Sequence, residues 1–307
     1  MIVWIPHEAG LPLMGQLPPD VTVRVLPDVD APPPGPLDEV EVFVPPFLSS
    51  GPVVAFAQKL PGLRVVQLMS AGADVWVGRL PEGVRLCDAR GVHSSSTAEW
   101  AAAVILGYLR ALPAFARAQA ARHWSYGEYA PTDELAGKRV LIVGAGAIGE
   151  ALAARLAPFE VELTLVARTP RPGVHAVAEL PDLLPYADVV VLLIPLTPET
   201  TGLVDAAFLA RMPDGALLVN GARGSVVDTA ALTAELATGR LAAAVDVTDP
   251  EPLPADHALW TMPNFLLTPH VGGSVRGLMR RAYGLVGDQL RRLAAGQPLI
   301  NEVRDGY

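Results

Sequence analysis

Three short segments of this sequence end in side chains able to bind anions and move protons. "LLVNGARGSVVD" (217–228) sets Arg223 among small residues just past an apolar run. "VDVTDPEPLP" (245–254) carries Asp246, Asp249 and Glu251 on a proline-bounded loop, and "FLLTPHVGGSV" (265–275) reaches His270 with Gly272 and Gly273 behind it. Taken singly, each reads equally well as an ordinary surface loop, because arginines, acids and histidines are mostly exposed. Taken together at successive strand ends, they form a set. An imidazole titrates near neutrality, a carboxylate beside it keeps it charged, and a guanidinium holds a substrate carboxylate. Reduction of a carbonyl needs these groups.

A second cluster supplies the other half of such a reaction. "VLIVGAGAIGEALAARL" (140–156) has Gly144, Gly146 and Gly149 in G-x-G-x-x-G spacing, directly after an apolar strand and opening a helix. Gly144 permits the tight turn, Gly146 lets the backbone approach a pyrophosphate, and Gly149 lets the helix pack closely. The helix N-terminus offers amide donors and a favourable dipole to phosphates. The next apolar run ends in "VARTPR" (166–171). An acid normally stands there to hold the ribose hydroxyls of NAD. Here Ala167 fills that slot, followed by Arg168, Thr169 and Arg171. A carboxylate would repel the 2′-phosphate of NADP, whereas a guanidinium grips it with paired hydrogen bonds. The pattern therefore predicts NADP (NADPH) as the preferred cofactor, with NAD as the alternative. The plainer reading is a solvated basic loop after a strand.

These residues need elements to carry them. Candidate strands at 1–5, 21–26, 40–45, 63–69 and 84–89 are separated by proline- and glycine-rich loops, "APPPGP" (31–36) among them. A long alanine-rich helix follows from Ser96, with Ser96 and Glu99 as a capping box and Pro113 as its bend or first end. A second series of strands is predicted within 138–149 and at 161–167, 187–195, 215–222, 242–247 and 265–270. Several of these are apolar without alternation, as in strands buried on both faces of a parallel sheet. An amphipathic helix over 275–296 closes the pattern. Two αβ series imply an α/β protein of two doubly wound parallel-sheet domains. A head-to-tail order and a discontinuous first domain both fit this pattern.

Composition narrows the classes. The chain has 307 residues, long enough for two cores. Its net charge of −9 speaks against a nucleic-acid or anionic-membrane surface. Cys87 is the only cysteine, so no disulfide framework and no cysteine metal site is expected. "MIVWIPHEAG" lacks the features of a signal peptide, and no apolar run reaches the roughly 18 residues of a membrane span. A cytoplasmic location is the expectation, with no metal, no membrane and no nucleic acid.

With these motifs in family order, together with "PLTPETTGLVD" (195–205), the chain resembles the D-isomer-specific 2-hydroxyacid dehydrogenases over essentially its whole length. The resemblance implies a Rossmann-type cofactor domain (97–274) inserted in a discontinuous flavodoxin-like substrate domain (1–96 and 275–307), and a homodimer. It implies that Arg223 binds the substrate carboxylate and carbonyl oxygen, that His270 is the general acid/base, and that Glu251 is its partner. Asp246 would contact the nicotinamide amide. Ala147, Ile148, Ile194, Pro195, Gly221, Ala222, Gly272 and Gly273 would complete the cofactor site. "SAGAD" (70–74) resembles the loop whose backbone amides cradle the carboxylate, through Ala71, Gly72 and Ala73.

Three positions depart from the family pattern: Ala147 replaces an arginine, Thr248 a phenylalanine and Glu160 a glycine. The arginines after Ala167 are similar to those of the NADPH-preferring glyoxylate/hydroxypyruvate reductase branch. Formate dehydrogenases of the superfamily have glutamine where this chain has Glu251. The expected activity is reduction of small 2-oxo acids. An NAD-linked dehydrogenase for a bulkier substrate, with Trp124, Tyr126 and Tyr129 lining a pocket or a dimer edge, is an alternative. A cofactor-sensing binding protein is another.

Overall fold

The computed structural model describes residues 1–49 and 51–304. The chain divides into two compact units, Met1–His93 with Val275–Tyr307, and Ser94–Ser274. The junctions between the units lie at 93/94 and 274/275.

Among the described residues the first unit holds a five-stranded parallel sheet: β1 (Ile2–Ile5), β2 (Thr22–Val25), β3 (Val40–Phe43), β4 (Val65–Gln67) and β5 (Arg85–Cys87). Their order is β2-β1-β3-β4-β5, the flavodoxin-like arrangement. Each strand grows from one of the predicted apolar runs, and β4 is buried throughout. The closing helix Leu278–Ala294 places Leu278, Ala282, Tyr283, Val286 and Leu290 in one core with Val3, Ile5 and Val65. Gly287 allows this packing, since a Cβ there would collide with the backbone of Met14. That helix thus belongs with the first sheet.

The second unit holds a seven-stranded parallel sheet. It comprises β6 (Arg139–Val143), β7 (Glu162–Ala167), β8 (Val174–Ala176), β9 (Val189–Leu192), β10 (Leu217–Asn220), β11 (Ala242–Val245) and β12 (Phe265–Leu267). Their order is β12-β11-β10-β9-β6-β7-β8, which is the doubly wound 3-2-1-4-5-6 pattern with one strand added. β9, β10 and β11 are buried at every residue. One face packs against residues of the helix Ser94–Leu109 and the glycine-loop helix Ala147–Leu156; the other packs against Phe208, Leu209, Leu232 and Leu236.

Two local expectations are corrected. The long helix starts at Ser94, so Ser96 lies buried inside its first turn and does not cap it. Ser95 Oγ bonds Glu99 at 3.0 Å, and Arg155 donates to the same Ser95 Oγ at 2.7 Å. Of three consecutive serines, the one facing solvent and the neighbouring helix takes the acid. The helix ends at Leu109, turns through a left-handed Ala111 (φ 51°) and resumes as Leu112–Ala120 at 67° to its first part, with Pro113 in the new first turn. Glu160, at the usual glycine position, is also left-handed (φ 59°). A residue with a Cβ there costs about 1 kcal/mol.

Candidate active site

The strand register lines up one edge of the large sheet. Val143 pairs with Leu192, Leu192 with Asn220, Asn220 with Val245, and Val245 with Leu267. The residues that leave the sheet next, Gly144, Leu193, Gly221, Asp246 and Thr268, therefore form a row at the carboxyl ends of five neighbouring strands. Ligands of open α/β sheets bind at this edge, in the crevice where the strand order reverses, here between β6 and β9.

At the β10–β12 end of the row the loops are tied to one another. Asn220, fully buried, accepts from the Ala222 amide (3.0 Å) and donates to the Arg223 carbonyl (3.0 Å), shaping the turn that presents Arg223. Arg223 Nη1 donates to the Ala222 carbonyl at 2.8 Å. Gly224 lies so close to Thr248 that a Cβ would collide with its carbonyl. Ser225 and Thr229 donate to the side chain and carbonyl of Asp249, at 2.8 and 2.7 Å. Asp249, one of three acids singled out in the sequence, thus ties the Arg223 loop to the Glu251 loop.

His270 follows β12 in a left-handed conformation (φ 55°), and its amide donates to the Asp246 carbonyl at 2.7 Å. Its Nδ1 lies 2.7 Å from Glu251 Oε1. An ionised carboxylate only accepts, so Nδ1 carries the proton in this pair and Nε2 is the atom left to exchange one. Nε2 makes no hydrogen bond among the described residues, and the His270 side chain keeps 23% of its surface exposed.

Asp246 is buried (5% exposed). Its Oδ1 accepts from Thr268 Oγ1 (2.5 Å) and the Val271 amide (2.9 Å), and its Oδ2 from the Gly272 amide (2.7 Å). It was expected to contact a nicotinamide amide. Three of its lone-pair directions hold the loop around His270, leaving one for such a contact. Trp100 Nε1 donates to Thr268 Oγ1 at 2.9 Å. Asn220, Thr268 and Trp100 were not among the residues expected at the site.

At the β6–β7 end, Gly144 (φ 117°) fits directly against Leu193, whose carbonyl a Cβ would strike, and Gly149 fits against the Gly144 carbonyl. Gly146 caps the helix Ala147–Leu156, is exposed, and would project a Cβ into open space. The amides of Gly146, Ala147 and Ile148 donate to nothing among the described residues, as the first turn of a helix leaves them. Open donors at a helix start, with glycine where the backbone must be approached, fit a pyrophosphate.

Beyond β7, Arg168 and Thr169 are exposed, and the Arg168 guanidinium makes no hydrogen bond or ion pair among the described residues. Glu199 has its carboxyl held below the usual range by a hydrogen bond from Thr197 and by its own amide, with the charge of Arg168 adding to them. Arg171 differs from Arg168. Its Nη2 donates to the Ala145 carbonyl (2.7 Å) and to Glu150 Oε1 (2.9 Å), strapping the hairpin to the glycine turn. Ile194 is half-buried and Pro195 exposed just past β9; Gly221 is half-buried and Ala222 buried past β10; Gly272 is buried and Gly273 half-buried past His270.

In the first unit, Ala71 and Gly72 follow β4 half-buried, and their amides donate to nothing among the described residues. Ser70 Oγ donates to the Gly72 carbonyl at 2.9 Å. Ala73 is buried, and its carbonyl accepts from Trp76 and Val77. Trp124 (91% exposed) and Tyr126 (72%) stand on the surface of the second unit, while Tyr129 packs edge-on against Phe115 with centroids 5.6 Å apart.

Comparison with known proteins decides the family. The family described as D-isomer specific 2-hydroxyacid dehydrogenase, NAD binding domain, matches residues 102–272, more than half of the chain. The chain belongs to the D-isomer-specific 2-hydroxyacid dehydrogenases. This dehydrogenase is 33% identical to human glyoxylate reductase/hydroxypyruvate reductase over 257 residues, covering 79% of this chain and 77% of the human one. Its fold matches a D-isomer specific 2-hydroxyacid dehydrogenase from Xanthobacter autotrophicus Py2, solved in complex with NADPH and MES, with a TM-score of 0.84 and 32% identity. That match covers 100% of this chain and 99% of the other. It also matches the NADPH-dependent glyoxylate/hydroxypyruvate reductase of Sinorhizobium meliloti, solved with NADP and sulfate (TM-score 0.83, 28% identity, 100% and 99% covered). The protein is an NAD(P)-dependent oxidoreductase of the D-2-hydroxyacid dehydrogenase type.

Proposed function

We propose that this dehydrogenase works as an NADPH-preferring reductase of small 2-oxo acids of the glyoxylate and hydroxypyruvate class. The observation that carries the chemistry is the 2.7 Å contact of Glu251 with His270 Nδ1, which commits Nδ1 to the carboxylate and leaves Nε2 for the substrate oxygen. A nicotinamide held at this edge would supply the hydride for the carbonyl carbon and leave oxidised. His270, its Nδ1–H directed to Glu251, gives an Nε2 proton to the oxygen, so carbonyl, hydride and proton together become the hydroxy acid. Arg223 binds the substrate carboxylate and polarises the carbonyl. The unpaired amides of Ala71 and Gly72 support the reading of residues 71–73 as a carboxylate cradle. The names of the human and Sinorhizobium relatives support the substrate class.

The preference for NADPH rests on Arg168. A 2′-phosphate there meets a guanidinium that makes no hydrogen bond or ion pair among the described residues, and no acid at Ala167. Charge-assisted hydrogen bonds contribute about 1.5–3 kcal/mol each, and about 1.4 kcal/mol is tenfold in affinity, so one arginine suffices. Gly144, Gly146, Ala147, Ile148 and Gly149 would hold the pyrophosphate. Ile194, Pro195, Gly221, Ala222, Gly272, Gly273 and the remaining lone pair of Asp246 would border the rest of the cofactor, with Thr169 beside the phosphate. Initial rates with NADPH and NADH across glyoxylate, hydroxypyruvate and bulkier 2-oxo acids test this reading. Higher kcat/KM with NADPH on the small acids is the expected result. A preference for NADH on an aromatic or branched acid would replace it with the alternative dehydrogenase, and no turnover across the panel would leave a cofactor sensor.

We further propose a homodimer that covers the exposed Trp124 and Tyr126 together with Leu112. A sedimentation profile of dimers that becomes monomeric in Trp124→Glu is the expected result.

A further inference from the structure

Trp100 belongs to no motif, yet it touches both loops that carry the reacting side chains. It lies half-buried on the helix Ser94–Leu109. A Cβ on Gly221, two residues before Arg223, would come within 3.0 Å of its ring, and one on Gly272, two residues after His270, within 3.3 Å. Both positions are glycine, and the indole occupies the space a side chain would need.

The hydrogen bonds have only one possible direction. An indole N–H can only donate, so Thr268 Oγ1 accepts from Trp100 at 2.9 Å and directs its own single proton to Asp246 Oδ1 at 2.5 Å. Asp246 then holds the amides of Val271 and Gly272 with its carboxylate and the His270 amide with its carbonyl. The residue so held is in the left-handed region, where a side chain costs about 1–3 kcal/mol unless its surroundings impose the conformation. Trp100 orients the hydroxyl at the head of this chain.

We propose that Trp100 is a positioning residue for proton transfer: through Thr268 and Asp246 its indole N–H holds the His270 loop, and its ring sets the spacing between the Arg223 and His270 loops. This rests on the reading of His270 as the proton donor, so the test has one readout that needs no substrate.

Trp100→Phe keeps a ring between Gly221 and Gly272 and removes the donor. It should lower kcat by about fivefold and leave KM within about twofold, the size of one lost neutral hydrogen bond. Trp100→Ala, which removes the ring as well, should also raise KM. Thr268→Val should lower kcat by about tenfold, and the double variant should be no worse than Thr268→Val alone, because both changes cut one chain. In the cofactor-free protein, the His270 ring resonance, assigned by its loss in His270→Gln, should move in both single variants. Unchanged kcat and an unmoved ring resonance in Trp100→Phe would overturn the proposal. If the wild type turns over no 2-oxo acid, the functional reading fails and the ring resonance alone decides the positioning role. Should Trp100→Phe not fold, Thr268→Val answers: the Trp100 indole N–H must lose exchange protection as the His270 resonance moves, and one changing without the other overturns the proposal.

Discussion

At the β12 side of the large sheet, Asp246 accepts hydrogen bonds from three neighbours, Asp249 ties two loops together, and His270 already rests against Glu251. At the β8 side, Arg168 extends from the end of a strand with no hydrogen bond among the described residues. One edge of one sheet thus carries a region whose side chains are tied to one another and a region whose cation has no hydrogen-bond partner among the described residues. Under the proposed function the contrast has a reason: proton transfer tolerates little misplacement, so its groups would be fixed beforehand by their neighbours. Selection between two cofactors needs only a difference in affinity, which under the proposed function a single exposed cation would supply.

The sharpest way to break this contrast is His270→Gln. It should reduce kcat/KM by about a thousandfold, within the range of a lost general acid, while NADPH binding by fluorescence stays unchanged. Turnover within tenfold of wild type would mean the ordered end is not where the proton moves. Arg168→Asp should lower kcat/KM with NADPH by about thirtyfold and with NADH by no more than about twofold. Equal losses with both cofactors would make Arg168 an ordinary surface residue. Arg171→Gln probes the boundary between the two regions. As a strap on the glycine turn, it should weaken both cofactors alike, by about threefold. A loss confined to NADPH would show that it leaves Glu150 for the phosphate. Smallest is Ser225→Ala, which frees the exposed bond to Asp249; kcat should fall by about twofold with Tm unchanged. A larger fall would place that tie nearer the chemistry than its exposure suggests.

Much of the fold was legible in the sequence because buried parallel strands are written as apolar runs, and each of the eleven expected runs became a strand. β8 was not read: Val174–Ala176 is three residues long and holds its place by pairing with β7, which no local pattern announces. The helix start slipped from Ser94 to Ser96 because three serines offer the same local chemistry and only packing separates them. His270, Glu251 and Arg223 stood out because they occur in motifs. Trp100 and Thr268 lie 168 residues apart and meet only after folding, so neither carried a signal. Asp246 and Arg171 stand in readable motifs, but their partners, backbone amides and the Ala145 carbonyl, are set by tertiary folding and carry no local signal.

The hairpin after β7 has a consequence for how this protein can change over generations. Arg168 and Thr169 are exposed, and neither side chain makes a hydrogen bond among the described residues. Substitutions at such positions usually shift stability by no more than about 0.5 kcal/mol. If Arg168 selects the cofactor as proposed, a lineage could exchange one cofactor pool for another by drifting through these two positions while remaining folded at every step. The loops around Asn220, Asp246 and His270 offer no such path, since a change in one strands hydrogen bonds in the next. Under the proposed function, cofactor choice would be free to wander within one domain while the chemistry stays anchored.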